Sequence, residues 1–167
     1  MIRRTDEARW AAVEESIELL HEDDVDGALR GLREVLLADE GNVHAHYYLG
    51  LALMRREKAG AALAAFAEAV HRDPEHLGAH LYRGWCLYEL GRFEEAIDAG
   101  ERALAISPDD DDTLHLLGVA NAETGRKSVA IAYLERFVKG RPSAEDRFEA
   151  EALINALKGN ARPMEDA

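Results

Sequence analysis

His76 and His80 stand four residues apart, a spacing that puts two imidazoles on one face of a helix, and Asp73 or Glu75 could add an oxygen ligand. The sequence places no third nitrogen or sulfur donor beside them, so no metal and no other cofactor is assigned. The run Asp109-Asp110-Asp111-Asp112 lacks the glycine and the distal glutamate of a calcium loop. Acids just ahead of a helix suit its positive end, and that is the reading given to them. Gly125-Arg126-Lys127-Ser128 has the composition of a phosphate loop, but the spaced preceding glycine is missing and no strand leads into it. The single cysteine, Cys86, falls beside Trp85 in the middle of a helical stretch, where a packed, inert thiol is the ordinary case. No Ser-His-Asp set follows from spacing. The chain is therefore not read as an enzyme.

The chain that carries these residues has 167 of them, with 33 acids against 20 bases and a formal charge of −13. Such a balance repels a phosphate backbone, which argues against nucleic acid and anionic membranes as partners. A hydrophobic share of 47% is globular and argues against wholesale disorder. One cysteine excludes an intrachain disulfide and suits a reducing compartment. No apolar segment follows the opening Met1-Ile2-Arg3-Arg4, and the longest uncharged run, Gly41 to Met54, is too short to cross a bilayer. These features predict a soluble, acidic, cytoplasmic protein without membrane insertion.

The elements that must position the side chains come from a period. Ser16, Gly50, Gly84 and Gly118 are each 34 residues apart, and Ala28, Ala62, Ala96 and Ala130 keep the same step. Leu29, Leu63, Ile97 and Ile131 follow it, as do Pro74, Pro108 and Pro142, with Glu40 where a first proline would stand. Four tandem units result, 9–42, 43–76, 77–110 and 111–144. Each reads as two helices: Leu81, Trp85 and Tyr88 fall at helical spacing before Gly91, and a second helix ends at Ser107-Pro108. The plan predicts helices near 6–22, 25–38, 43–56, 59–72, 77–90, 93–106, 111–124 and 127–140. Nothing alternates with period two, so no strand is expected. The small columns let paired helices approach closely, and stacking the pairs buries the faces a lone pair would leave bare.

The stretch Gly84-Trp85-Cys86-Leu87-Tyr88-Glu89-Leu90-Gly91-Arg92-Phe93-Glu94-Glu95-Ala96-Ile97, closed by Ala103-Leu104 and Pro108, resembles a tetratricopeptide repeat (TPR). The resemblance covers residues 9–144 and implies an all-α fold, a right-handed α-solenoid of four TPR helix pairs plus a C-terminal capping helix. It makes residues 1–160 one domain, with a last helix at 144–158 and a frayed tail at 160–167. The first unit departs from the pattern at Glu15, Ser16, Asp23 and Glu40, as a water-facing end repeat would. In the last helix, Phe148 and Ala152 keep the phase that should dock it on the fourth pair. Ala150, Leu153, Ile154 and Leu157 form a second apolar stripe, either folded back over the end of the solenoid or serving as an association surface.

By the same resemblance the first helix of each repeat lines an inner wall. The first repeat offers Trp10, Val13, Glu14, Ile17, Leu20 and His21, and the second His44, Tyr47, Tyr48, Leu51, Met54 and Arg55. The third offers Leu81, Tyr82, Trp85, Tyr88 and Glu89, and the fourth includes His115. The expected partner-binding set is Trp10, Tyr47, Tyr48, Leu51, Met54, Leu81, Tyr82, Trp85, Tyr88 and His115, because rings supply contact area at small entropic cost. TPR proteins that clamp the C-terminal carboxylate of heat-shock proteins need Lys, Arg or Asn where this chain has Val13, Ile17, Tyr48, Gly78 and Tyr82, so that use is excluded. Residues 1–42 hold 12 acids and 5 bases, which favours a basic or amphipathic partner segment. The function implied is a non-catalytic module that binds another protein or peptide in an aromatic groove, an adaptor or scaffold. Size and acidity are also similar to the small TPR chaperones of type III secretion. A third alternative is a scaffold that dimerises through Leu153, Ile154 and Leu157.

Overall fold

The computed structural model describes residues 2–159, and every regular element among them is a helix. Two compact units divide between Leu90 and Gly91. The first contains α1 (Ile2–Ala11), α2 (Glu14–His21), α3 (Val25–Ala38), α4 (Val43–Arg55), α5 (Ala59–Arg72) and α6 (Leu77–Glu89). The second contains α7 (Phe93–Ile106), α8 (Asp111–Glu123), α9 (Lys127–Lys139) and α10 (Ala144–Leu157). Within each unit every helix from α2 onward packs on its successor. The connections are only three or four residues long, which makes neighbours antiparallel.

The 34-residue step reappears as repeated stereochemistry. Asn42, His76 and Asp110 each take an extended backbone conformation and cap the next helix. Their acceptors are Oδ1 for Ala45 N at 3.1 Å, Nδ1 for Ala79 N at 3.1 Å and Oδ2 for Thr113 N at 2.9 Å. One full column of turn residues, Asp23, Glu57, Gly91, Gly125 and Gly159, has left-handed φ between 55° and 76°. The small columns are close approaches, as expected. A Cβ on Gly50 would lie 2.5 Å from the Phe66 ring, and one on Gly118 would lie 2.6 Å from Leu134. Phe66, Ala62 and Ala130 are fully buried beneath these crossings. Burying a side chain of the size of Phe66 contributes roughly 1.5–3 kcal/mol.

The first predicted helix, 6–22, is two helices instead of one. Asn42 Nδ2 donates to the Arg9 carbonyl at 2.9 Å, which removes the acceptor that Val13 N would use in a continuous helix. Val13 N turns to the Trp10 carbonyl at 3.0 Å, and the chain steps between α1 and α2. Arg9 fixes the same corner by a two-pronged contact with Asp39, Nε to Oδ2 at 2.6 Å and Nη2 to Oδ1 at 3.2 Å.

α10 corrects a second expectation. Ser143 caps it as expected, its Oγ accepting from Asp146 N at 3.1 Å. The docking face is Ala150, Leu153, Ile154 and Leu157, packed with Leu114, Leu134 and Phe137, whereas Phe148 is 73% exposed. The stripe folds back onto the preceding pair, one of its two expected roles, and Phe148, expected to dock, does not. The columns of Phe148 and Ala152 point at the second helix of their own pair, as Gly118 does at Leu134, and none follows α10 among the described residues. Ile154 is thus buried within the chain, while Leu153 and Leu157 stay half-buried. The expected frayed tail, 160–167, lies outside the described residues.

Candidate functional site

The sequence-derived chemistry resolves into structure first. His80 Nε2 lies 2.8 Å from the Pro74 carbonyl and His46 Nε2 lies 2.9 Å from the Glu40 carbonyl, so each ring must donate there. Nδ1 of His76 accepts the α6 cap bond, and burial holds that imidazole below its ordinary pKa. The His76–His80 pair is therefore engaged in capping and bracing its own turn. Among the described residues no cluster of three His, Cys, Asp or Glu side chains is placed to hold a metal ion. Asp110 accepts from both Thr113 N and Thr113 Oγ1, the latter at 2.6 Å, so the acidic run supplies a helix cap. Cys86 is fully buried, and that burial pushes its thiol up to about 12.

A groove of about 310 Å³ opens in the first unit, lined by Ile17, Leu20, His21, Tyr48, Leu51, Met54, Arg55 and Tyr82. Three helices build it. α2 contributes Ile17, Leu20 and His21; α4 contributes Tyr48, Leu51, Met54 and Arg55; α6 contributes Tyr82. The residues follow the three- and four-residue spacing of one helix face, repeated a period apart. Leu20 is buried, while Tyr48, Leu51 and Met54 stay half-buried with part of their apolar surface towards water. The Arg55 guanidinium donates to the Leu20 carbonyl and lies 3.9 Å from Asp23, tying the ends of α2 and α4 together. Burial alone raises the Tyr48 hydroxyl above its ordinary pKa, so the phenol faces the groove protonated.

Four of the ten expected residues meet here: Tyr48, Leu51, Met54 and Tyr82. Trp10 flanks them, exposed, with its ring edge-on to Tyr48 at 6.1 Å. Tyr47 is a packing residue, its ring set among Tyr48, Phe66, His76 and Tyr82, and burial raises its hydroxyl to about 12. Leu81, at 6% exposure, is closed off from any visitor. Trp85 and Tyr88 lie half-buried and edge-to-face on α6, outside the groove lining. His115 belongs to the second unit, stacked on Phe137 with centroids 4.7 Å apart. Tyr82 itself stacks on Phe66 at 5.8 Å, so it braces the core as well as walling the groove. Ile17, Leu20, His21 and Arg55 complete the site. The wall positions of the first two repeats had offered all four, and the preference for rings passed over them.

Antiparallel helix pairs in a 34-residue step, with an apolar groove on their first helices, define a helical-repeat protein. The tetratricopeptide repeat model matches residues 13–74 and again 49–111, together more than half of the chain, so the chain belongs to the tetratricopeptide repeat family. No curated protein sequence matches it. Among solved structures, MamA is similar over 87% of this chain and 85% of its own, at 26% identity and a TM-score of 0.78. YrrB, described as a TPR protein with an unusual peptide-binding site, covers 90% of this chain and 78% of its own, at 20% identity and a TM-score of 0.77. PilF of Pseudomonas aeruginosa covers 91% and 68% respectively, at 21% identity and a TM-score of 0.77. The likeness to these last two shows the fold.

Proposed function

We propose that this chain is a non-catalytic interaction module that holds a peptide segment of a partner protein in the Tyr48 groove. The supporting observation is the groove itself: apolar side chains of three helices left partly open beside a protonated tyrosine, in a protein family whose members bind other proteins. An apolar concavity with a few polar groups at its edge is the usual form of a recognition site. No helix among the described residues is long and apolar enough to cross a membrane. The buried free thiol agrees with a reducing compartment, and we place the protein in the cytoplasm.

Immobilised protein should retain a partner from the source extract, and Tyr48→Ala should lose it while helical circular dichroism stays unchanged. Tyr48 is the better probe, because replacing Tyr82 also removes the stack on Phe66. Retention undiminished in Tyr48→Ala, repeated with Met54→Ala, rejects the groove. The identity of the captured protein separates an adaptor from a secretion chaperone: a folded soluble partner fits the first, a membrane-inserting client held unfolded fits the second.

A further inference from the structure

We infer that the occupant of the Tyr48 groove is an amphipathic segment whose basic side chains pair with Glu14 and Glu18 of α2; this rests on the groove being a partner site. Ile17 and His21 line the groove from α2. On a helix, residues three and four apart are neighbours, so Glu14 extends that stripe three residues before Ile17. Glu18 lies four beyond Glu14 and three before His21, along the edge of the same stripe. Both are exposed, and among the described residues neither has an ion-pair or hydrogen-bond partner. Three cations of this unit are engaged elsewhere: Arg9 with Asp39, Arg56 with Asp26, and Arg72 with Glu40 and Glu68.

Two like charges at i and i+4 repel, and a cation laid between them removes the repulsion. Glu14 also favours the positive end of α2, but Glu18 stands past the first turn, where that benefit has faded. The groove's own cation, Arg55, is held at the Leu20 carbonyl, six residues along α2 from Glu14, or about 9 Å at the helical rise. That separation exceeds the screening length of roughly 8 Å at physiological salt, so Arg55 leaves Glu14 free to attract a base. The volume, at the small end of ligand sites, suits one or two apolar side chains, with the charged ones staying at the rim. Apolar contact would then supply affinity, and the glutamates would supply selection and association rate.

The test uses three labelled helical peptides of about 14 residues with one leucine stripe and a polar face of Lys, Gln or Glu, followed by fluorescence anisotropy at physiological salt. The Lys peptide should bind about fivefold to tenfold more tightly than the Gln peptide, and the Glu peptide more weakly than either. Glu14→Gln with Glu18→Gln should erase the Lys advantage without changing Gln-peptide binding, and Glu14→Lys with Glu18→Lys should transfer the advantage to the Glu peptide. Circular dichroism shows whether each variant keeps its helices, and the Gln pair carries the test where the Lys pair unfolds. Equal Lys and Gln binding, or a Lys advantage that survives the Gln pair while Tyr48→Ala still weakens every peptide, overturns the inference and leaves the groove standing. Indifference of all three peptides to Tyr48→Ala overturns the groove as well.

Discussion

At the scale of single residues, the titratable groups of this protein serve its architecture. His76 accepts a backbone bond through Nδ1, a role that only the neutral ring can fill, and burial lowers its pKa to match. A depressed histidine pKa means that the unfolded chain binds the proton first. The contribution of His76 is therefore complete above about pH 6.5 and is lost as the pH falls through the lower folded value. His115, also depressed by burial against Phe137, acts in the same direction. His76→Asn keeps an acceptor at the cap, as Asn42 does one period earlier, and removes the titration. Melting temperatures recorded between pH 7.5 and 5.5, on the order of one unit either side of that histidine value, should fall less steeply for the variant than for the parent. Parallel slopes would mean that the ring carries no cost of protonation in the folded state. None of this was legible in the His76–His80 spacing, because a ligand pair and a cap followed by a brace have the same sequence signature.

At the scale of elements, the local signals were sufficient wherever the cause was local. Gly91 marked a helix end because a left-handed turn residue selects glycine, and that end fell within a residue of expectation. Asp23 and Glu57 occupy the same column with φ of 64° and 55°, and there the period carried the information that residue type concealed. An L side chain in that conformation is strained, so Glu57→Gly should stabilise the protein by about 0.5–1 kcal/mol, net of the greater freedom glycine has when unfolded. The measurement is a urea midpoint. No increase, with the slope unchanged, would show that Glu57 gains from its side chain as much as its backbone loses. The break between α1 and α2 had no local signal at all. Its cause is Asn42, buried at 1% exposure and 33 residues from the carbonyl it takes. The groove divides the same way: period and helix phase found Tyr48, Leu51 and Met54, but could not tell Tyr48 from its neighbour Tyr47, which the rings of α5 and α6 enclose.

At the scale of the whole molecule, each helix pair of a repeat protein leaves an apolar face that a neighbouring helix must cover. α10 covers α9 with Ala150 and Ile154, buried at 2% and 7% exposure, and Lys158 clasps Glu135 at 2.7 Å across the same seam. The ion pair is exposed and screened by solvent, so the apolar contact is what holds the helix down. Shortening Ile154 to Ala removes buried methyls at a seam and should cost about 2 kcal/mol, somewhat less than in a deeper core. Phe148, 73% exposed on the other face, has little to lose, and Phe148→Ser should stay within about 0.5 kcal/mol of the parent. Thermal melts at several protein concentrations read both effects together. If the stripe closes the chain on itself, the loss in Ile154→Ala is the same at every concentration, because it belongs to one molecule. A loss that deepens on dilution would instead place Ile154 between two copies, and α10 would then be a dimerisation helix whose apparent docking on α9 is secondary.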